Sequence, residues 1–270
     1  MGFPIRKFFK YIKWCRQGGF TQATITQISQ SQLLQGQRAL VTGGSDGIGL
    51  AIAKKFISAG AEVVITGRSE AKLQEAARRI NSNKLHTLQW DISMLDSLPN
   101  KLQEANKLMG GIDILVNNAA MVTIPAGNDD KLGAIIDTNI KAVYLMCQEI
   151  GQQMANQGRG GKIINISSLN AYQCGTHPYF MTKRAVNAIT EGFAKQLAPH
   201  GVIVNGIAPG FCNSNINKQT DTDNIYRAEP LNHRLVLPEE IAELALFLCS
   251  NAANAIIGQT ILCDGGATLK

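Results

Sequence analysis

From Gln37 onward the chain repeats one unit, a short β-branched apolar run followed by a segment of helical periodicity. The runs RALVT (38–42), EVVIT (62–66), LHTLQ (85–89), IDILVN (112–117), KIINIS (162–167), VIVNGI (202–207) and TILCD (260–264) suit strands buried on both faces. Helical patterns cover 48–59, 70–81, 94–109, 130–157, 178–198 and 238–250; Gly60 closes the first and Pro238-Glu239-Glu240 opens the last. Such alternation implies parallel pairing, because each helix returns the chain to the same edge, and right-handed crossovers then cover both faces. The expected fold class is α/β, a single doubly wound parallel sheet with one strand per apolar run and helices on both faces. No second domain boundary is visible after residue 34, so 34–270 is expected to form one domain.

Composition limits the partners. With 45% hydrophobic and 17% charged residues the chain reads as an ordinary globular protein. No apolar run reaches the roughly eighteen residues a membrane span needs. The six cysteines lack CxxC or metal-ligand spacing and the four histidines do not cluster with them, which points to reduced thiols, a cytoplasmic location and no metal site. Five of the six net positive charges arise from Arg6, Lys7, Lys10, Lys13 and Arg16, and residues 1–33 contain no acid. The remaining body is nearly neutral, so a nucleic-acid groove is not implied. Within IRKFFKYIKWCR, Ile5, Phe8, Phe9 and Ile12 fall at helical spacing beside the basic residues, and the Gln/Thr/Ser-rich GGFTQATITQISQSQ follows as a linker. Residues 1–33 are expected to be an amphipathic extension: a tail, a segment packed on the body, a contact for a membrane surface or protein partner, or a targeting peptide. Arg6 stands where a myristoylation signal after Gly2 wants Ser or Thr.

The first strand runs into TGGSDGIG, where Gly43, Gly47 and Gly49 lead into a helix. A backbone that turns sharply and approaches a pyrophosphate needs glycine there, and the helix N-terminus favours the negative charge. The second strand ends Thr66-Gly67-Arg68 without the acid that binds a ribose 2′-hydroxyl, which favours NADP(H); Asp46 in the glycine turn weighs against a phosphate and keeps NAD(H) open. Farther on, Tyr179 and Lys183 stand four apart, one turn of a helix, so both can face one cleft. A phenol of pKa about 10 handles protons poorly at neutral pH, and bringing it near 7 takes about 4 kcal/mol, much of which an adjacent ammonium and a cationic cofactor ring can supply.

Taken in order, TGGSDGIG, WDIS (90–93), NNAA (117–120), TNIKAVY (138–144), INISS (164–168), YFMTK (179–183), VIVNGIAPGF (202–211) and IIGQTILCDGG (256–266) resemble the motif series of the short-chain dehydrogenase/reductase superfamily, from about Gly36 to the C-terminus. The chain is similar to its 3-oxoacyl-acyl-carrier-protein reductases and glucose dehydrogenases. The resemblance implies a Rossmann-type sheet and an NAD(P)-dependent oxidoreductase acting on a carbonyl or secondary alcohol. It implies Tyr179 as proton donor or base, Lys183 as the group that lowers its pKa and holds the nicotinamide ribose, Ser168 on the substrate oxygen, and Asn139 completing a proton relay through water and Lys183. It further implies Asp91 at the adenine, Asn117 near the cofactor ribose, and Ser214 beside the carboxamide. The implied cofactor-binding set is Gly43, Ser45, Asp46, Gly47, Ile48, Gly49, Arg68, Asp91, Ile92, Asn118, Ala119, Tyr179, Lys183, Pro209, Gly210, Cys212 and Ser214.

Two departures stand out. Ser168 precedes Tyr179 by eleven residues, a shortened loop that could alter the pocket wall or hand the serine's role to Ser167; Cys212 replaces a common aliphatic and reads as a small packed hydrophobe. Substrate choice is expected in the polar segment 211–236, which suits a small carbonyl, an acyl thioester, or a sugar or polyol better than a steroid. Arg159 sits where carrier-protein reductases often carry a basic residue, and His200 replaces another. The contrasting reading is a non-catalytic dinucleotide-binding scaffold, which degenerate Ser, Tyr or Lys positions would favour; all three are present. The family commonly forms homotetramers, and a tetramer or dimer is expected here, with Ile136, Ile140, Val143 and Met146 offering an apolar helix face that serves equally as core.

Overall fold

A computed structural model describes residues 32–122, 130–212 and 227–269. Most of the basic extension, Ser214 and most of the 211–236 segment lie outside the described residues. Seven strands form one parallel sheet: β1 (Arg38–Val41), β2 (Glu62–Gly67), β3 (Leu85–Gln89), β4 (Ile114–Asn117), β5 (Gly161–Ile166), β6 (Val202–Pro209) and β7 (Thr260–Cys263). Their order across the sheet is β3-β2-β1-β4-β5-β6-β7. The seven apolar runs are these strands, within one or two residues at each end.

Helices α1 (Gly47–Ser58), α2 (Glu70–Ile80) and α7 (Pro238–Cys249) cover one face; α3 (Leu98–Met109), α5 (Ala142–Gln157) and α6 (Pro178–Leu197) cover the other. The strand period of two sorts side chains between the layers: Ala39, Val41, Val63 and Ile65 join one core, Leu40 and Val64 the other. Leu34 is in the core and its N–H donates to the carbonyl of Ala59.

Helix ends follow local chemistry. Pro99 and Pro238 sit in the first turns of α3 and α7, where a missing N–H costs nothing, and the Glu240 carboxylate reaches back to the Leu237 N–H. The pattern read as one helix over 130–157 is α4 (Asp130–Ile136) and α5 joined by a π-helical turn, Asp137–Lys141. The extra residue in that turn leaves the apolar periodicity on either side intact, so sequence does not announce it. Val143 and Met146, half of the apolar face considered for oligomer contacts, are core residues; the exposed large side chain on α5 is Tyr144.

The strand order reverses between β1, whose chain leaves toward β2, and β4, which pairs with β1 on its other side. Loops at the carboxyl ends of these two strands diverge to opposite faces and leave a crevice, where doubly wound sheets bind ligands.

Candidate active site

A cleft of about 740 Å3 opens at that crevice, walled by the ends of six strands. The β1–α1 turn forms one side. Gly43 has φ +63°, which an L side chain resists, and a Cβ there would lie 2.9 Å from the Ala119 Cα. A Cβ on Gly49 would overlap the Gly43 carbonyl oxygen, so this glycine lets α1 pack on the turn and does not itself line the cleft. Thr42 Oγ1 accepts from the N–H groups of Asn118 and Ala119, and the Asn118 amide donates to the carbonyls of Thr42 and Gly43, tying the β1 and β4 loops together. Asn117 is different: its buried amide donates to Asn165 Oδ1 at 2.9 Å, so it belongs to the interior and not to the cofactor contact expected of it.

Ser45, Asp46, Gly47, Ile48, Arg68, Asp91, Ile92, Asn118, Ala119, Pro209, Gly210 and Cys212 all border the cleft. Sequence reasoning missed Lys72, which lines the same wall as Arg68 and Ser69. Its signal was its place in the first turn of α2, three residues after the Ser69 cap. The two carboxylates at this end are turned to their own loops. Asp46 Oδ1 accepts from the Gly47 N–H at 2.8 Å, and Asp91 Oδ1 accepts from the Ser93 N–H and hydroxyl at 3.0 and 2.7 Å. Glycine cradle, helix N-terminus and the cation pair together fit a dinucleotide with its phosphates against α1.

At the other end Ser168, Tyr179 and Lys183 share the cleft wall. Tyr179 and Lys183 are one turn apart on α6, and the Lys183 Nζ lies 5.5 Å from the Tyr179 ring centroid while donating to the Ile166 carbonyl at 2.7 Å. Burial pushes the Tyr179 phenol up to about 12, with the hydrogen bond to Ser168 pulling the other way. Burial also lowers Lys183 to about 8. The near-neutral phenol expected from an adjacent ammonium is therefore not a property of the protein alone, because desolvation outweighs its neighbours.

Both serines border the cleft, but their partners differ. The Ser167 hydroxyl donates to Asn187 Oδ1 at 2.6 Å, whereas the Ser168 hydroxyl meets Tyr179 and accepts from the Asn170 N–H. Asn139, in the π turn, is 1% exposed and does not border the cleft. Its side chain accepts from the Met121 N–H and donates to the Met121 carbonyl, both at 2.8 Å, and donates to Thr182 Oγ1 at 3.1 Å; Thr182 donates in turn to the Tyr179 carbonyl. The Asn139 side chain thus ties the β4 loop to α6, directly beneath the Tyr179 turn. Arg159 lies just before β5, at the amino ends of the strands and so opposite the cleft, paired with Asp113 at 3.0 Å.

No helix of the described residues is long and apolar enough to cross a membrane, and they contain no cluster of His, Cys, Asp or Glu suited to a metal. A family model described as short chain dehydrogenase matches residues 37–225. The chain is 35% identical to a 3-oxoacyl-acyl-carrier-protein reductase from Aquifex aeolicus (strain VF5), covering 86% of this chain and 98% of that one. It is 34% identical to a gluconate 5-dehydrogenase from Gluconobacter oxydans (strain 621H), over 88% and 96%. Among solved structures, a 3-ketoacyl-acyl-carrier-protein reductase from Brucella melitensis complexed with NADH superposes with a TM-score of 0.79 at 29% identity, covering 87% of this chain and 99% of that one. A short chain dehydrogenase from Burkholderia cenocepacia J2315 in complex with NADP gives 0.80 at 30%, over 87% and 99%. The family match over most of the chain and these relatives of more than 30% identity, borne on the same parallel sheet, show that the chain belongs to the short-chain dehydrogenase family and is an NAD(P)-dependent oxidoreductase.

Proposed function

We propose that the protein is an NADP(H)-preferring ketoreductase whose substrate is a small 3-oxoacyl compound presented as a thioester. The observation that carries the chemistry is the meeting of the Ser168 hydroxyl and the Tyr179 phenol beside the Lys183 ammonium on one cleft wall. Arg68 and Lys72 support a 2′-phosphate, since two cations line that part of the cleft and the Asp46 and Asp91 carboxylates there accept hydrogen bonds from their own turns. When bound, the nicotinamide dinucleotide supplies the hydride.

This chain's residues supply orientation and the proton. Ser168 Oγ holds the substrate oxygen by a hydrogen bond and thereby fixes the carbonyl face. The Tyr179 hydroxyl gives its proton to that oxygen as negative charge develops, which a phenol held neutral by burial is ready to do. Lys183 stabilises the resulting phenolate and holds the ribose; its ammonium keeps its direction through the Ile166 carbonyl. Gly43, Ser45, Gly47 and Ile48 cradle the phosphates, and Asp91, Ile92, Asn118 and Ala119 frame the adenosine.

Met121, Val122, Leu169 and Phe211 line the cleft and favour an acyl chain over a polyol. The sugar alcohol reading draws support from the gluconate 5-dehydrogenase relative and remains the second arm of the test. Initial rates with acetoacetyl thioesters and with gluconate and other polyols, each with NADPH(NADP) and NADH(NAD), distinguish the two. NADPH-linked thioester reduction that disappears in Tyr179→Phe, with cofactor binding retained, is the expected result; full turnover in that variant sinks the assignment.

The enzyme is further proposed to act in the cytoplasm as a homotetramer or dimer. The five cysteines of the described residues form no disulfide, which supports a reducing compartment, and exposed Tyr144 and Met181 on α5 and α6 support an oligomer face. Contact of residues 1–33 with an acidic membrane surface or a protein is proposed from their sequence alone, and vesicle cosedimentation with and without them tests it.

A further inference from the structure

We infer that His177 is a positioning residue that sets the direction of the Tyr179 side chain from the N-terminus of α6; this rests on the reading of Tyr179 as the proton donor. Pro178 occupies the first turn of α6 and has no N–H, so the Tyr179 amide is the first free donor of the helix. The His177 imidazole takes it: the Tyr179 N–H donates to His177 Nδ1 at 3.1 Å. The His177 backbone is extended, with φ −69° and ψ 132°, the conformation of an N-cap, and its own carbonyl accepts from the Phe180 N–H at 3.0 Å. The residue thus grips the two successive amides that start the helix, one with its ring and one with its main chain.

The approach to this cap is short and fixed at its far end. Ser168 caps the 3-10 turn Leu169–Tyr172, and residues 173–177 alone span from there to α6. Within them Gly175 faces the Phe180 ring so closely that a Cβ would lie 2.7 Å from it. The two hydroxyls that must meet one substrate oxygen are therefore joined by a strap anchored at both ends, with His177 as its last link. A phenol oxygen stands at the end of a long arm from its Cα, so a turn of the first helical residues by about 10° displaces it by about 1 Å, the scale at which well-placed groups lose about a hundredfold in rate.

The test uses the full chain, acetoacetyl thioester and NADPH, with wild type, Tyr179→Phe, His177→Ala and His177→Asn. Asparagine keeps a side-chain acceptor at the cap; alanine removes it. The expected result is a fall in kcat of about tenfold or more in His177→Ala, with KM and the NADPH Kd within about twofold of wild type, and recovery to within about threefold of the wild-type kcat in His177→Asn. A second probe of the strap, Gly175→Ala, is expected to lower kcat in the same manner by pushing the Phe180 ring. Unchanged kcat in His177→Ala while Tyr179→Phe is inactive overturns the inference alone. Turnover retained in Tyr179→Phe, or no turnover by wild type with any carbonyl tried, overturns the reading beneath it and the inference with it. A lower melting temperature in His177→Ala without a change in kcat shows a cap of structural value only, and also overturns it.

Discussion

At the scale of single residues, Lys183 couples ionisation to chemistry. Burial lowers its pKa from 10.5 to about 8, so in the folded protein the amine is neutral above that value while the unfolded chain still holds its proton. Between about pH 8 and 10.5 the unfolded state binds more protons, and Lys183's contribution to stability rises with pH. Catalysis that needs the ammonium moves the opposite way. We predict a kcat/KM for NADPH that declines above about pH 8, while the melting temperature of the cofactor-free enzyme rises more steeply between pH 8 and 9.5 in wild type than in Lys183→Met. Parallel slopes in the two proteins would falsify the assignment of that titration to Lys183. At the adenine end, Arg68→Ala and Lys72→Ala are each expected to raise KM for NADPH by about tenfold and leave KM for NADH within about twofold, measured by initial rates. Arg68 was legible because it ends a strand. Lys72 carried only its place in the first turn of α2 as a signal, and its nearness to the same wall depends on how α2 folds back.

Within the elements, the π turn shows how a local irregularity serves a distant loop. It carries Asn139 at the place where the side chain can pair both backbone groups of Met121 and reach Thr182 on α6. Removing the amide leaves those partners to find water in a poorly solvated place, a cost of about 1–3 kcal/mol. Asn139→Ala is therefore expected to lower the urea midpoint and weaken NADPH binding, read by fluorescence titration, because Met121 and Val122 border the cleft. Asn139→Asp, which keeps the acceptor for the Met121 N–H but buries a carboxylate against the Met121 carbonyl, is expected to be at least as destabilising as Asn139→Ala. The helical periodicity over 130–157 fixed the existence of this element, yet a π turn preserves the apolar face on either side and leaves no mark in the pattern.

For the whole molecule, two cores separated by a seven-stranded sheet account for the fold of the described residues, and exposed apolar side chains remain on α5 and α6 among other elements. Tyr144, 47% exposed with its ring edge against Phe193 at 5.1 Å, and Met181, 51% exposed, project from α5 and α6. Tyr144→Glu is expected to shift the mass measured by light scattering to a smaller species while leaving the circular dichroism spectrum unchanged; a wild type that is already monomeric refutes the proposed assembly. The sequence by itself determined the parallel doubly wound sheet, the glycine turn and the Tyr179–Lys183 spacing, because periods of two and 3.6 residues and the backbone demands of glycine are local properties. Tertiary structure alone decided that Ser168 and not Ser167 meets Tyr179, that the Asn117 and Asn139 side chains find their partners in the interior, that Arg159 lies at the amino ends of the strands away from the cleft, and that burial raises the phenol and lowers the lysine. Each of those depends on which distant segment supplies the neighbour and on how much water is excluded, quantities that exist only once the elements have packed.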